Sequence, residues 1–219
     1  MKKLIWASTA ALAMLLTAGA SPVAAAAGDT ADSTATIKFH ENTGPTTPID
    51  PGDTDKETGM NGPLSLDLVP NLDFGDHAAK AMTKFDDAGP HKIQVTDSRS
   101  ANTGWTVTLS AAVFTDGAGN DLTGATLSSD VAANKSGAVD GALDASIDTA
   151  GITSLAVSDL ATDGTGVANI FTGAVETSGG TWQAIYDANQ FHLTVPTGVQ
   201  QAGTFTSQLT WTINDGPAQ

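Results

Sequence analysis

The stretch Trp105-Thr106-Val107-Thr108-Leu109-Ser110-Ala111-Ala112-Val113 decides the fold class. Trp105, Val107, Leu109, Ala111 and Val113 fall on one face, and Thr106, Thr108 and Ser110 on the other. Side chains of a strand alternate between faces, so a period of two marks a strand with one side buried. The same texture recurs at Leu64, Leu66 and Leu68, at Ile93 and Val95, at Phe191, Leu193 and Val195, and from Phe205 to Ile213. Gly- and Asp-rich turns such as Asp116-Gly117-Ala118-Gly119-Asn120-Asp121 separate these runs. Asp76 to Phe85 is the one short stretch that reads as a helix candidate. Leu122 to Gly180 is rich in Ala, Ser, Thr, Asp and Gly, and predicts short strands and long surface loops. The expectation is an all-β protein, an antiparallel β-sandwich of two sheets with long Gly/Asp/Ser/Thr-rich loops.

The chain has 219 residues, with 9 Lys+Arg against 24 Asp+Glu, a net charge of −15. Met1-Lys2-Lys3, the apolar run Leu4 to Ala20 and the small residues Ala24 to Ala27 have the layout of a signal peptide over residues 1–27. Loss of Lys2 and Lys3 with the leader makes the charge −17. Such a surface opposes binding to nucleic acid, whose phosphates need a basic face. It equally opposes anionic lipid. Neither a second apolar run nor a C-terminal sorting tail follows, so the expectation is a secreted protein with no covalent anchor and no membrane insertion after cleavage. The absence of cysteine removes disulfides, thiol nucleophiles and Cys-ligated metal.

Residues 28–62 form a polar segment with a possible first strand at 34–39. Asn42 to Gly62, with Pro45, Pro48 and Pro51, reads as an exposed loop or linker because it carries little apolar surface. The main domain is expected over residues 63–219.

A search for chemistry returns little. His40, His77, His91 and His192 lack metal-ligand spacing, and no nucleophile elbow or phosphate loop occurs. No cofactor is indicated. Asp116, Asn120 and Asp121 share one Gly-rich loop and are the only calcium candidate, because hard oxygen ligands suit Ca²⁺. Paired carboxylates for glycoside cleavage are a spatial arrangement that spacing does not reveal.

Two Trp strands carry a resemblance: Gly104-Trp105-Thr106-Val107 and Thr210-Trp211-Thr212-Ile213, the second near the C-terminus. Upstream stand Leu72-Asp73-Phe74-Gly75 and Gln94-Val95-Thr96-Asp97-Ser98-Arg99. This ordered set resembles the WxL family of Gram-positive surface proteins, with Val107 and Ile213 in place of the motif leucines. The resemblance implies non-covalent attachment to cell-wall peptidoglycan, companion cell-surface proteins as partners, and no catalysis. The alternatives are an adhesion or complex-forming subunit that reaches the wall through a companion, and a carbohydrate-active hydrolase. Trp105, Val107, Trp211 and Ile213 read as core residues, each buried Trp removing about 150–250 Å² from water. Stacking of the tryptophans on sugar rings is the functional alternative, and Trp182, after Gly179-Gly180, is the aromatic expected to face a ligand.

Overall fold

The computed structural model describes residues 32–51 and 54–216. The expected leader and its cut near Ala26 or Ala27 lie outside them. The chain divides into two units after Lys38. Of the first unit, residues 32–38 are described: they are exposed and in no sheet. The strand expected at 34–39 is therefore not formed, because alternation specifies a strand only where another backbone completes the ladder.

The second unit is all-β. Its strands are β1 (Lys56–Glu57), β2 (Leu64–Val69), β3 (Lys84–Asp86), β4 (His91–Asp97), β5 (Trp105–Ala111), β6 (Thr126–Ser129) and β7 (Asn134–Val139). They continue with β8 (Ala142–Asp144), β9 (Ile152–Ser154), β10 (Val157–Ala161), β11 (Ala168–Gly173), β12 (Gly180–Tyr186), β13 (Phe191–Thr194) and β14 (Leu209–Asp215). The expected helix at Asp76 to Phe85 is absent. That stretch is a loop ending in β3, where Lys84-Phe85-Asp86 alternates exposed, buried, exposed.

The strands build three antiparallel sheets, ordered β1-β2-β4-β12-β7-β8, β10-β6-β13-β3 and β14-β5-β11-β9. They pack like a sandwich and do not close into a barrel. Three sheets replace the expected two because the middle of the chain supplies strands to every sheet. Its glycines conceal those strands. Gly173 of β11 pairs with Trp105 and Gly137 of β7 with Trp182. A Cβ on Gly173 would stand 2.4 Å from the Trp105 ring, and one on Gly137 would stand 2.9 Å from the Trp182 ring. Each indole lies over its neighbour's bare backbone, so these strands need glycine where propensity disfavours it.

The main core joins Trp105, Phe171, Tyr186, Phe191 and aliphatics from all three sheets. Trp105 and Phe171 meet edge-on, with centroids 5.0 Å apart. A smaller cluster of Phe85, Phe114, Leu122, Ala125, Leu193 and Val195 sits apart from it.

Within Asn42 to Gly62, expected as an exposed loop or linker, residues 42–51 and 54–58 are tied to the six-stranded sheet by polar contacts. Gln94 Oε1 accepts from Ile49 N at 2.8 Å, and Gln183 Nε2 donates to Ile49 O at 2.5 Å. His91 bonds Asp55 at 2.7 Å and Asp87 at 2.7 Å, all three side chains being almost fully buried. The segment is held by buried hydrogen bonds, which a hydrophobicity argument does not count.

Candidate functional site

A cleft of about 580 Å³ opens over the smaller core cluster. Phe74, His77 and Phe205 line its walls above Phe85 and Phe114. Phe74 and Phe205 are half-buried and His77 is exposed, so aromatic faces reach solvent. Phe74 meets Phe114 edge-on at 6.5 Å, and His77 tilts over Phe85 at 4.9 Å. Asp73, Asp76, Gln201 and Thr204 add polar groups. Aromatic surface with a few converging polar side chains is the usual make-up of a ligand cleft.

Each wall is fixed from behind. The Phe74 loop follows β2, and Asp73 N donates to the buried Asp87 carboxylate. Asp73 Oδ1 accepts from Gly75 N at 2.9 Å. Gly75 has φ +80°, a conformation that glycine adopts without strain. Buried Gln200 ties the opposite loops: its Nε2 donates to Met82 O at 2.8 Å and Val195 O at 2.9 Å, and its Oε1 accepts from Lys80 N at 2.6 Å. Thr206, next to Phe205, exchanges backbone bonds of 2.9 and 3.0 Å with Thr115.

A second cleft of about 410 Å³ adjoins the first at Leu72, Ser207 and Leu209. Trp211 lines it, facing Lys56, Thr58 and Met60.

The four motif residues come together as one ladder. β14 pairs with β5 so that Ile213 faces Val107, Trp211 faces Leu109 and Asp215 faces Trp105. Trp105 and Val107 are fully buried. Trp211 and Ile213 are only half-buried and pack against the rim of the core. Trp182, expected to face a ligand, is buried instead. It is 5% exposed, and its Nε1 donates to Ser178 O at 3.0 Å, the carbonyl that also accepts from Trp105 Nε1 at 3.2 Å. The Gly179-Gly180 turn supplies an acceptor for the indoles rather than an opening for a ligand.

Of the calcium candidates, Asp116 and Asn120 are bonded to each other within their loop. Asp116 Oδ1 accepts from Ala118 N at 2.8 Å and Asn120 N at 3.1 Å, and its Oδ2 accepts from Asn120 Nδ2 at 2.6 Å. These bonds hold its carboxyl below the usual range. Asp121 pairs instead with Thr115 through the backbone. Among the described residues, no three His, Asp or Glu side chains converge on a metal position.

The Gln94-to-Arg99 segment is a set of latches. Buried Asp67 accepts from Gln94 Nε2 at 3.0 Å, Thr96 Oγ1 at 2.7 Å and Ser65 Oγ at 2.6 Å, while burial pushes its carboxyl up. Arg99 forks onto Asp97 through Nε at 2.9 Å and Nη2 at 2.8 Å. It also binds Gly104 O at 2.8 Å and the Asp215 carboxylate, clipping the end of β14 to the β4–β5 turn. Burial pushes the Asp87 carboxyl up, but bonds from His91, Gly89 and Asp73 more than offset it and hold it low. Burial works against the charged form of His91, yet Asp55 and Asp87 raise it to about 9. The ring is therefore a buried cation between two carboxylates at neutral pH.

Spacing did not reveal the Asp55–His91–Asp87 cluster or the Phe74–Phe205 cleft, since both join residues far apart in the chain. The one available signal was the Leu72-Asp73-Phe74-Gly75 motif, which forms a cleft wall.

Among the described residues, no helix is long and apolar enough to cross a membrane. A family model described as "WxL domain surface cell wall-binding" matches residues 26–217. No curated protein matches the chain, and no solved structure does.

Proposed function

Because the chain belongs to the WxL family of cell-wall-binding surface domains, we propose that it is an exported, non-catalytic module held non-covalently on peptidoglycan. The contact surface is the aromatic cleft between Phe74 and Phe205. The observation that carries this reading is the pairing of solvent-reaching aromatic faces with polar groups in the cleft over the smaller core cluster. The apolar C–H faces of a sugar ring pack on such rings, while its hydroxyls bond Asp73, Asp76, Gln201 and Thr204. The motif strands β5 and β14 serve as scaffold: Trp105 is sealed in the core, and β14 continues from the loop that bears Phe205. A net charge of −15 favours bare glycan over anionic wall polymers.

The test is sedimentation of the purified protein with peptidoglycan sacculi, with and without teichoic acid. Direct binding to bare sacculi is the expected result, reversed by chaotrope without enzymatic digestion. If sedimentation requires a companion surface protein, the direct reading fails and attachment through that partner takes its place.

A further inference from the structure

The two clefts differ in chemistry. The first is walled by aromatic rings and carries Asp73 and Asp76, with no Lys or Arg in its lining. The second, of about 410 Å³, has Lys56 as its one charged lining residue among those described. In a chain with 24 Asp+Glu against 9 Lys+Arg, a cleft with a cation and no carboxylate runs against the prevailing charge. The short strand β1 places Lys56 there. Successive side chains of a strand point to opposite sides, so Lys56 lines the cleft and Glu57 does not. Lys84, Lys92 and Arg99 are each paired with an aspartate. Lys56 is exposed and has no such pair among the described residues.

The facing wall is β14 from Leu209 to Trp211, and β5 contributes nothing to the cleft. Ala112 N donates to Gln208 O at 3.0 Å and Gly216 N to Gly104 O at 3.1 Å, which sets the phase of the β14–β5 ladder. In an antiparallel pair, alternate residues exchange both backbone bonds with the partner. The even-numbered residues of β14 do so. The main-chain N–H and C=O groups of Leu209 and Trp211 therefore point to the flank on which the cleft lies. One ammonium group and a short run of outward amides are the partners that a short peptide with a free carboxylate requires.

We propose that the second cleft is a subsite for a short carboxylate-bearing peptide carried on the sugar in the aromatic cleft, which in peptidoglycan is the stem peptide. The inference rests on the wall-binding reading for the identity of the ligand. The two clefts meet at Leu72, Ser207 and Leu209, so a sugar held in one leads its substituent into the other. Lys56 takes the carboxylate, and the peptide amides bond the outward main-chain groups of Leu209 and Trp211. The contact with β14 is main chain, so the Trp211 indole is a wall, and its truncation leaves the recognising groups in place. An exposed ion pair supplies little affinity alone. Lys56 instead supplies selection, drawing a carboxylate into a protein whose net charge of −15 otherwise repels it.

The test is calorimetric titration of the purified protein with three probes. They are the disaccharide-peptide released from sacculi by muramidase, the same disaccharide stripped of its peptide by an amidase, and the disaccharide-peptide with its carboxyl groups converted to methylamides. Wild type should bind the disaccharide-peptide at least about fivefold more tightly than the stripped disaccharide, the worth of one or two net polar contacts. Blocking the carboxyl groups should remove most of that advantage. Lys56→Glu changes one exposed side chain and should keep the wild-type melting temperature and the affinity for the stripped disaccharide. It should lose the preference for the disaccharide-peptide, and Lys56→Arg should keep it. Equal affinity of wild type for the disaccharide with and without peptide would overturn the subsite and leave the aromatic cleft standing. A peptide preference that survives in Lys56→Glu would overturn it equally. Binding of the disaccharide-peptide through Lys56, with none of the stripped disaccharide, would support the subsite and remove the sugar from the aromatic cleft. Binding of no probe would overturn both readings.

Discussion

β5 and β14 carry the same pattern and lie side by side, yet they occupy different environments. β5 has β14 on one flank and β11 on the other, and Trp105 is sealed beneath Phe171 and over Gly173. Among the described residues β14 has one ladder partner, and Trp211 is left half-buried with a cleft along it. Period two reports which face of a strand is buried. It does not report whether the strand is central or at an edge, and the edge decides how much of each apolar side chain is covered. Two residues that read alike thus divide into a core anchor and a rim residue.

Trp105→Ala should open this difference widest. Loss of a fully buried indole costs about 3–5 kcal/mol, a large share of a domain's usual stability of about 5–15 kcal/mol. The expected outcome in a denaturant melt is a marginal or unfolded protein. A melt within about 1 kcal/mol of wild type would end the account of Trp105 as an anchor.

The buried cation on β4 offers a test by pH. The folded pKa of His91, about 9, lies above the unfolded value of about 6.5. Its contribution, of order 3 kcal/mol by linkage, is complete below the unfolded value and is lost as pH rises through about 9. Asp87 acts in the opposite direction: its lowered carboxyl contributes above the unfolded pKa and loses that contribution as pH falls through its folded value. Melting curves from pH 6 to 10 should therefore decline for wild type and run flatter for His91→Gln. Parallel curves would mean that the cluster is uncharged.

Gly173→Ala tests the central strand from the opposite side. Its Cβ would fall 2.4 Å from the Trp105 ring and 2.4 Å from the Ser178 Cβ. Overpacking of this kind costs about 1–3 kcal/mol, read as a lowered denaturation midpoint. Combining it with Trp105→Ala should recover part of that loss, since the clash is with the indole itself.

Trp211→Ala should cost about 1–2 kcal/mol, because part of the side chain is already in water. A loss equal to that of Trp105→Ala would erase the distinction between centre and edge. The third motif position divides the same way, and its edge copy, Ile213, carries the smallest effect. Val107→Leu adds a methylene to a sealed site and should cost about 1–3 kcal/mol. Ile213→Leu, at the half-buried edge, should stay within about 0.5 kcal/mol of wild type.

The strands that were legible in sequence are those whose faces differ in polarity, such as Leu64–Leu68, Ile93–Thr96, Trp105–Ala111 and Phe191–Val195. The strands that were missed carry glycine and alanine where indoles need room, as at Gly137 and Gly173. The docking of residues 42–51 and 54–58 was hidden because buried polar pairs such as Asp55–His91 look in sequence like solvated loop residues. Trp182 was misplaced by its neighbouring glycines, which read as an opening but form the turn whose carbonyl its indole bonds. The aromatic cleft brings Phe74 and Phe205 together from loops more than a hundred residues apart, a distance no spacing rule spans. The Phe-Gly motif, by contrast, was visible from the start and forms one wall of that cleft.

The wall contact is proposed in the cleft, with the motif tryptophans as scaffold. The most direct measurement is sacculus sedimentation of Phe205→Ala and His77→Ala beside Trp211→Ala, each with its melting temperature recorded. The expected result is at least a tenfold loss of binding for the cleft variants at a temperature where they remain folded, a change of about 1.4 kcal/mol, with binding retained by folded Trp211→Ala. Undiminished binding by the folded cleft variants, with loss for Trp211→Ala, would place the contact on the motif strand and contradict the account.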